Sequence, residues 1–118
     1  MIDWKAPCFT MNEYQRRAAR TINHKLKPAD QGKHALFGMA AEVGELHGIY
    51  QKRYQGHEFE EEHAKKECGD ILWMLAEYCT AHGWTLGEIA EMNIQKLEAR
   101  YPDGFNAEQS LHRTEGDI

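Results

Sequence analysis

Proline is scarce in this chain of 118 residues, with three in all (Pro7, Pro28 and Pro102), and valine occurs once, at Val43. Ala, Glu, Leu, Lys and Met are plentiful instead, which favours helix over strand and makes an all-α fold the expectation. Long apolar runs are also missing. The longest, Ile71 to Ala76, is far too short to span a bilayer, and the N-terminus has no basic segment followed by an apolar one. Membrane insertion and export are therefore not indicated, and a cytoplasmic location is expected. The three cysteines (Cys8, Cys68, Cys79) form no C-x-x-C pair, and an odd number does not suit a disulfide framework. Cys68 and Cys79 are expected to be buried thiols on the apolar face of one helix. The seven histidines show neither H-x-x-x-H nor C-x-x-C…H spacing, which argues against zinc. Clustered positive charge is lacking too. With a formal net charge of −5 and a pI near 5.8, the chain is unsuited to a nucleic-acid polymer, whose phosphates require grouped Lys and Arg. An acidic protein that binds a polyanion needs a cation between the two.

An apolar content of 42% and this length fit a single domain, residues 1–118, with a helical core over about 10–101. Thr10 and Glu13 form the T-x-x-E of a capping box, opening a first helix that runs to about His24, with Pro28 as its stop. A second helix is expected from near Lys33, carrying Leu36, Met39, Val43, Leu46 and Tyr50 at helical spacing up to Gly56. The third begins with the acidic residues from Glu58 to Glu62, which complement the helix dipole, and continues to Gly83. Thr85 and Glu88 form a second capping box, and a fourth helix extends to about Arg100, before Pro102. The tail, 106–118, has too few apolar residues to pack alone and is expected to be disordered or laid across a partner chain.

Glu42 and Glu45 are three residues apart, as are Glu67 and Asp70, so each pair projects from one face of its helix. Either pair alone is more often a solvated stripe. At roughly 100° per residue, Val43, Met39, Leu46 and Tyr50 lie about 40° to 100° from Glu42, and Cys68, Ile71 and Leu75 lie at the same angles from Glu67. Both pairs thus sit on the same edge of an apolar face. Their centres, 43.5 and 68.5, have their midpoint at Gly56, the expected turn, so in an antiparallel hairpin the two pairs are level. Four acids at one level repel one another unless a cation neutralises them, and oxygen-only ligation suits Mg²⁺, or Mn²⁺ in its place, over Zn²⁺ or Cu²⁺. Two acidic stripes that happen to align remain the alternative.

The segments GMAAEVGELHGIYQK, KECGDILWMLAEY and TLGEIAEMNIQKLEARYPDGF closely resemble the MazG-like all-α nucleoside triphosphate pyrophosphohydrolases, particularly their short single-domain forms, over about Asn12 to Phe105. The family pattern of E-x-x-E, a spacer and E-x-x-D is met by Glu42, Glu45, Glu67 and Asp70, with 21 residues between the pairs, and N-x-x-K by Asn93 and Lys96. The resemblance implies a four-helix bundle-like fold with an antiparallel central hairpin, assembled as a homodimer or homotetramer. It implies hydrolysis of a nucleoside triphosphate to monophosphate and pyrophosphate, Mg²⁺ on the four acids, and Asn93 and Lys96 near the substrate. Glu42 and Glu45 are the candidates to orient the attacking water. Many relatives carry a further acid just before the first motif glutamate; here that position is Ala41, which leaves the proton acceptor unassigned.

Lys52, at about 280° from Glu42 and near the side of Glu45, is either a phosphate contact or an ordinary surface lysine. Arg100 is better read as complementing the dipole of its own helix than as a phosphate ligand. Trp73, about 60° from Asp70, packs in a core or interface or stacks on a base. His63 shares the face of Glu67 and Asp70, one turn earlier, and is an outside candidate. The E-x-x-H of Glu60 and His63 occurs once, whereas di-iron bundles need it on two helices. Two other functions compete: phosphoribosyl-ATP pyrophosphohydrolysis on a similar scaffold, and a non-catalytic acidic helical interaction module.

Overall fold

A computed structural model describes residues 1–118. The chain is all-helical, with no strand: α1 (Met11–Ala18) runs into a 3-10 turn (Ala19–Thr21), followed by α2 (Pro28–Tyr54), α3 (Glu61–His82), α4 (Leu86–Arg100) and the short α5 (Ala107–Leu111). No helix is long and apolar enough to cross a membrane.

The boundaries differ from those expected in three places, one being α3, which begins at Glu61 rather than at Glu58. The first helix ends at Ala18 with its 3-10 turn, not at His24, because Ile22 swings into extended backbone and buries its side chain. The second begins at Pro28, five residues before Lys33. Pro28 starts this helix rather than merely ending the previous one: at the first helical position its missing N–H would have had no partner, and its fixed φ is already helical. The extra turn buries Gln31 and Gly32. Of the two expected capping boxes, the one at Thr85 and Glu88 is complete, with both bonds at 3.1 Å. At α1 only half is built. Thr10 accepts from the Glu13 N–H, but the Glu13 carboxylate turns to Arg16 and Arg17, whose charge-assisted bonds outcompete a neutral backbone donor.

The central packing is the antiparallel hairpin of α2 and α3. Its loop turns at Gly56, which adopts φ +98, and Phe59 folds back against Tyr50, with ring centroids 5.1 Å apart and the Arg53 guanidinium over the Phe59 ring. Register follows the expected centre. Gly38 abuts Met74, and His34 bonds Glu77, pairs whose midpoints fall at 56 and 55.5. A Cβ at Gly38 would meet the end of the flexible Met74 side chain, which would have to shift to make room.

The densest apolar cluster lies at the far end of α3, where Ala76, Cys79 and Leu86 pack with Tyr14, Ala18, Leu75 and Ile89. Of the two thiols expected in the core, Cys79 is buried, and that burial raises its pKa, while Cys68 is exposed. Asn106 caps α5 through the Gln109 N–H, and a turn closed by the Asp117 N–H to the Thr114 carbonyl, with Gly116 at φ +88, carries Asp117 back to its own α4. There Arg100 donates two 2.7 Å bonds to the Asp117 carboxylate.

That bond holds the Asp117 carboxyl below the usual Asp range. A depressed acid stabilises the docked tail above the unfolded pKa, about 3.9, and loses that contribution only as pH falls through the lower folded value. The α5 amides should therefore stay protected from hydrogen exchange at pH 5 and open only as the pH falls below the usual Asp range, whereas Asp117→Asn should expose them already at pH 5. Equal protection in the variant at pH 5 would show that the ion pair does not hold the tail.

Candidate metal centre

Midway along the hairpin, α2 supplies Glu42 and α3 supplies Glu67 and Asp70, each able to offer a carboxylate oxygen so that the three oxygens lie within 4.8 Å of one another. Three carboxylate oxygens gathered this closely from two helices are a set that one divalent cation could draw together. The acids differ in setting. Glu42 is half-buried, Asp70 is exposed beside α1, and Glu67 is 8% exposed. Glu67 Oε2 is buried without a hydrogen-bond partner, which is costly for a carboxylate unless a ligand or cation completes it. Partial burial, then contact with Glu67 and the charges of Asp70, Glu67 and Glu45, push the Glu42 carboxyl above its ordinary range. Every charge acting on Glu42 is therefore a like charge, which is the field a divalent cation would relieve. The donor set fits a hard, oxygen-seeking ion.

The fourth motif acid, Glu45, is exposed one turn along α2 and stays outside the three-oxygen group, though its charge reaches Glu42. Lys52 is exposed near the end of α2. Asn93 and Lys96 are exposed on α4, which packs on α1 and, through its first turns, on the end of α3. Lys96 borders a cleft of about 610 Å³ between α4 and the tail, with Arg100, Arg113 and Asp117. Within one chain, then, three of the motif acids converge, while Glu45, Lys52, Asn93 and Lys96 are not drawn into the group.

Other residues take clear places. Arg100 is occupied by Asp117 and is not free for phosphate. Trp73 donates its indole N–H to Thr21 Oγ1 at 2.8 Å, tying α3 to the 3-10 turn, with its ring edge-on to His34. His63, the outside candidate on the Glu67 face, is bonded to Glu67 and to Glu60 at 3.0 and 3.1 Å. One feature escaped the sequence reading. Glu77, 1% exposed, accepts a 2.6 Å bond from His34 Nδ1 and leaves its own Oε2 unpartnered. The available signal was spacing: Glu77 follows Asp70 by seven residues, two turns along the same face.

Residues 31–105, well over half of the chain and the span containing every motif residue above, match the family model described as MazG nucleotide pyrophosphohydrolase domain. No curated protein and no solved structure matches the chain.

Proposed function

Because the chain belongs to the MazG nucleotide pyrophosphohydrolase family, we propose that it hydrolyses nucleoside triphosphates to monophosphate and pyrophosphate at a Mg²⁺ site formed by Glu42, Glu67 and Asp70, with Glu45 completing it. The observation that carries this reading is the convergence of three acids from two helices around a buried, unpartnered oxygen of Glu67. A divalent cation held by these acids would neutralise phosphate charge and make the α-phosphorus more electrophilic. Glu42 and Glu45, neighbours on α2, orient a water for in-line attack. The water oxygen bonds to the α-phosphorus as the bond to the bridging oxygen breaks; pyrophosphate leaves, and the water proton passes to a carboxylate. Mn²⁺ can substitute, since it accepts the same oxygen ligands. Exposed free thiols at Cys8 and Cys68 suit the reducing cytosol in which nucleotide pools are maintained.

The substrate side is assigned to Asn93, Lys96 and Lys52. Their exposure, outside the acidic group of the same chain, requires assembly or closure to bring them to the phosphates. Assembly as a homodimer or homotetramer has independent support. The chain buries only 11 of its 118 residues, and its radius of gyration is 17.5 Å, against about 13.5 Å for a compact domain of this length. Leu36, Val43 and Tyr50 recur every seven residues along α2, and all are exposed. That stripe is a face suited to another helix.

Gly48 tests a second face of α2, about 140° around the helix from that stripe. A Cβ built there meets nothing within 4 Å in the isolated chain. Gly48→Ala should then raise stability by about 0.5–1 kcal/mol through helix propensity alone. A fall in melting temperature would instead show a neighbouring molecule lying against that face, and size-exclusion chromatography with light scattering would identify it as a second copy.

The test of function is a screen of nucleoside triphosphates and phosphoribosyl-ATP with Mg²⁺, reading both pyrophosphate and monophosphate. Both products from ordinary triphosphates support the proposal. Products from phosphoribosyl-ATP alone would favour the rival pyrophosphohydrolase, and none from any substrate would favour an acidic interaction module.

A further inference from the structure

Glu60, His63 and Glu67 form a chain of side-chain contacts over the first two turns of α3. His63 Nε2 lies 3.0 Å from Glu67 Oε1, and Nδ1 lies 3.1 Å from Glu60 Oε2. An ionised carboxylate only accepts hydrogen bonds, so the ring nitrogen that carries the proton donates to the carboxylate it faces, and with a carboxylate oxygen at each nitrogen the ring cannot turn without losing a contact. The two oxygens of Glu67 are consequently unlike. Oε1 is held by His63, whereas Oε2 is buried and has no partner, and Glu67 belongs to the group of acids that converge between α2 and α3.

We propose that His63, braced by Glu60, is a positioning residue that holds Glu67 by its outer oxygen and so presents the inner one to a divalent cation. The inference rests on the reading of Glu42, Glu67 and Asp70 as the Mg²⁺ site. Its physical basis is the softness of the terminal torsion of glutamate, which is broad and nearly two-fold, so that an untethered carboxylate exchanges its oxygens or rotates out of line. Groups hydrogen-bonded to metal ligands remove that freedom, and their loss typically lowers metal affinity by about 10- to 100-fold. His63 stands four residues before Glu67, the spacing at which helical side chains meet. It is itself partly exposed, so its role does not depend on filling the core.

A different role for the same histidine predicts the opposite sign. If the ring only supplied positive charge to balance the acids, it would compete with the cation, and removing it would tighten metal binding. The experiment is a Mn²⁺ titration of the full chain without nucleotide, following the electron paramagnetic resonance signal of the free ion. His63→Ala should weaken Mn²⁺ binding by about 10- to 100-fold. His63→Gln, whose amide can still donate to a carboxylate four residues on, should recover most of that loss. Glu60→Ala should give a smaller loss in the same direction. Circular dichroism would establish that each variant is folded, and should His63→Ala unfold, the Glu60→Ala result decides. Unchanged or tighter binding in the folded His63→Ala chain, or equal weakness of the Gln and Ala variants, overturns the proposal. A wild-type chain that binds no Mn²⁺ would instead remove the metal site on which it stands.

Discussion

Replacing Glu67 by Gln should abolish divalent-cation binding and lower triphosphate turnover by a factor on the order of 10² or more, while leaving the helices formed. The lower bound follows from the effect of merely supporting groups, which cost about 10- to 100-fold; a ligating carboxylate is worth at least as much. Glu67 is the acid for which this expectation is strongest, because it is the most buried of the three and its Oε2 has no protein partner to compensate its desolvation. The fold is expected to survive because Gln keeps the volume and removes one of several mutually repelling charges. At about 4 Å, a like-charge contact costs roughly 1 kcal/mol even in water, so the metal-free variant should melt no lower than the metal-free wild type. Calorimetric titration with Mg²⁺ or Mn²⁺, an assay of pyrophosphate release and thermal unfolding monitored by circular dichroism would together check it. Full activity in the variant would move the site elsewhere.

The largest loss of stability is expected from Gln15→Ala, at about 3 kcal/mol. Gln15 is buried in α1, where its amide nitrogen donates to Thr80 Oγ1 at 3.0 Å and to the Trp84 carbonyl at 2.8 Å, and its amide oxygen accepts from the Leu86 N–H at 2.6 Å. A single side chain therefore satisfies the turn that joins α3 to α4. Truncation leaves the Leu86 N–H buried without an acceptor, which costs about 1–3 kcal/mol, and removes the other bonds and the packing around them. Against a total stability of about 5–15 kcal/mol this is a large fraction, equivalent to a melting point lower by about 10 °C or more. Urea unfolding should show a lower midpoint with little change in slope. A loss below about 1 kcal/mol would mean that water replaces Gln15 at no great cost.

The two predictions address different ends of α3, and they differ in how readily the sequence shows them. The acidic pairs could be read directly, since residues three apart share a face and symmetry about Gly56 levels the pairs, and the Gly38–Met74 and His34–Glu77 contacts keep close to that symmetry. What spacing could not show is that Glu45 stays apart from the other three, or that one oxygen of Glu67 is held while the other is left free, because both depend on helix rotation and rotamer. Pro28 could be read as a stop or as a start, and only the burial of Gln31 and Gly32 along the first turns of α2 decides between them. The tail looked too polar to pack. It packs through a bidentate ion pair and a glycine turn, neither of which needs apolar residues.

The start of α4 separates the two kinds of information most clearly. A helix begins with backbone N–H groups that no helical carbonyl can reach. Those of Thr85 and Glu88 are satisfied within the T-x-x-E box, a local pattern determined by the sequence itself. Those of Leu86 and Gly87 are taken by Gln15 and Asn12, 71 and 75 residues away, at 2.6 and 2.8 Å. The sequence by itself determined the helical class, three of the helix ends and the acidic spacing, because these follow from neighbours along one helix. The tertiary structure alone decided which donors and carboxylates are paired across helices, since those choices depend on how separate helices are placed against one another.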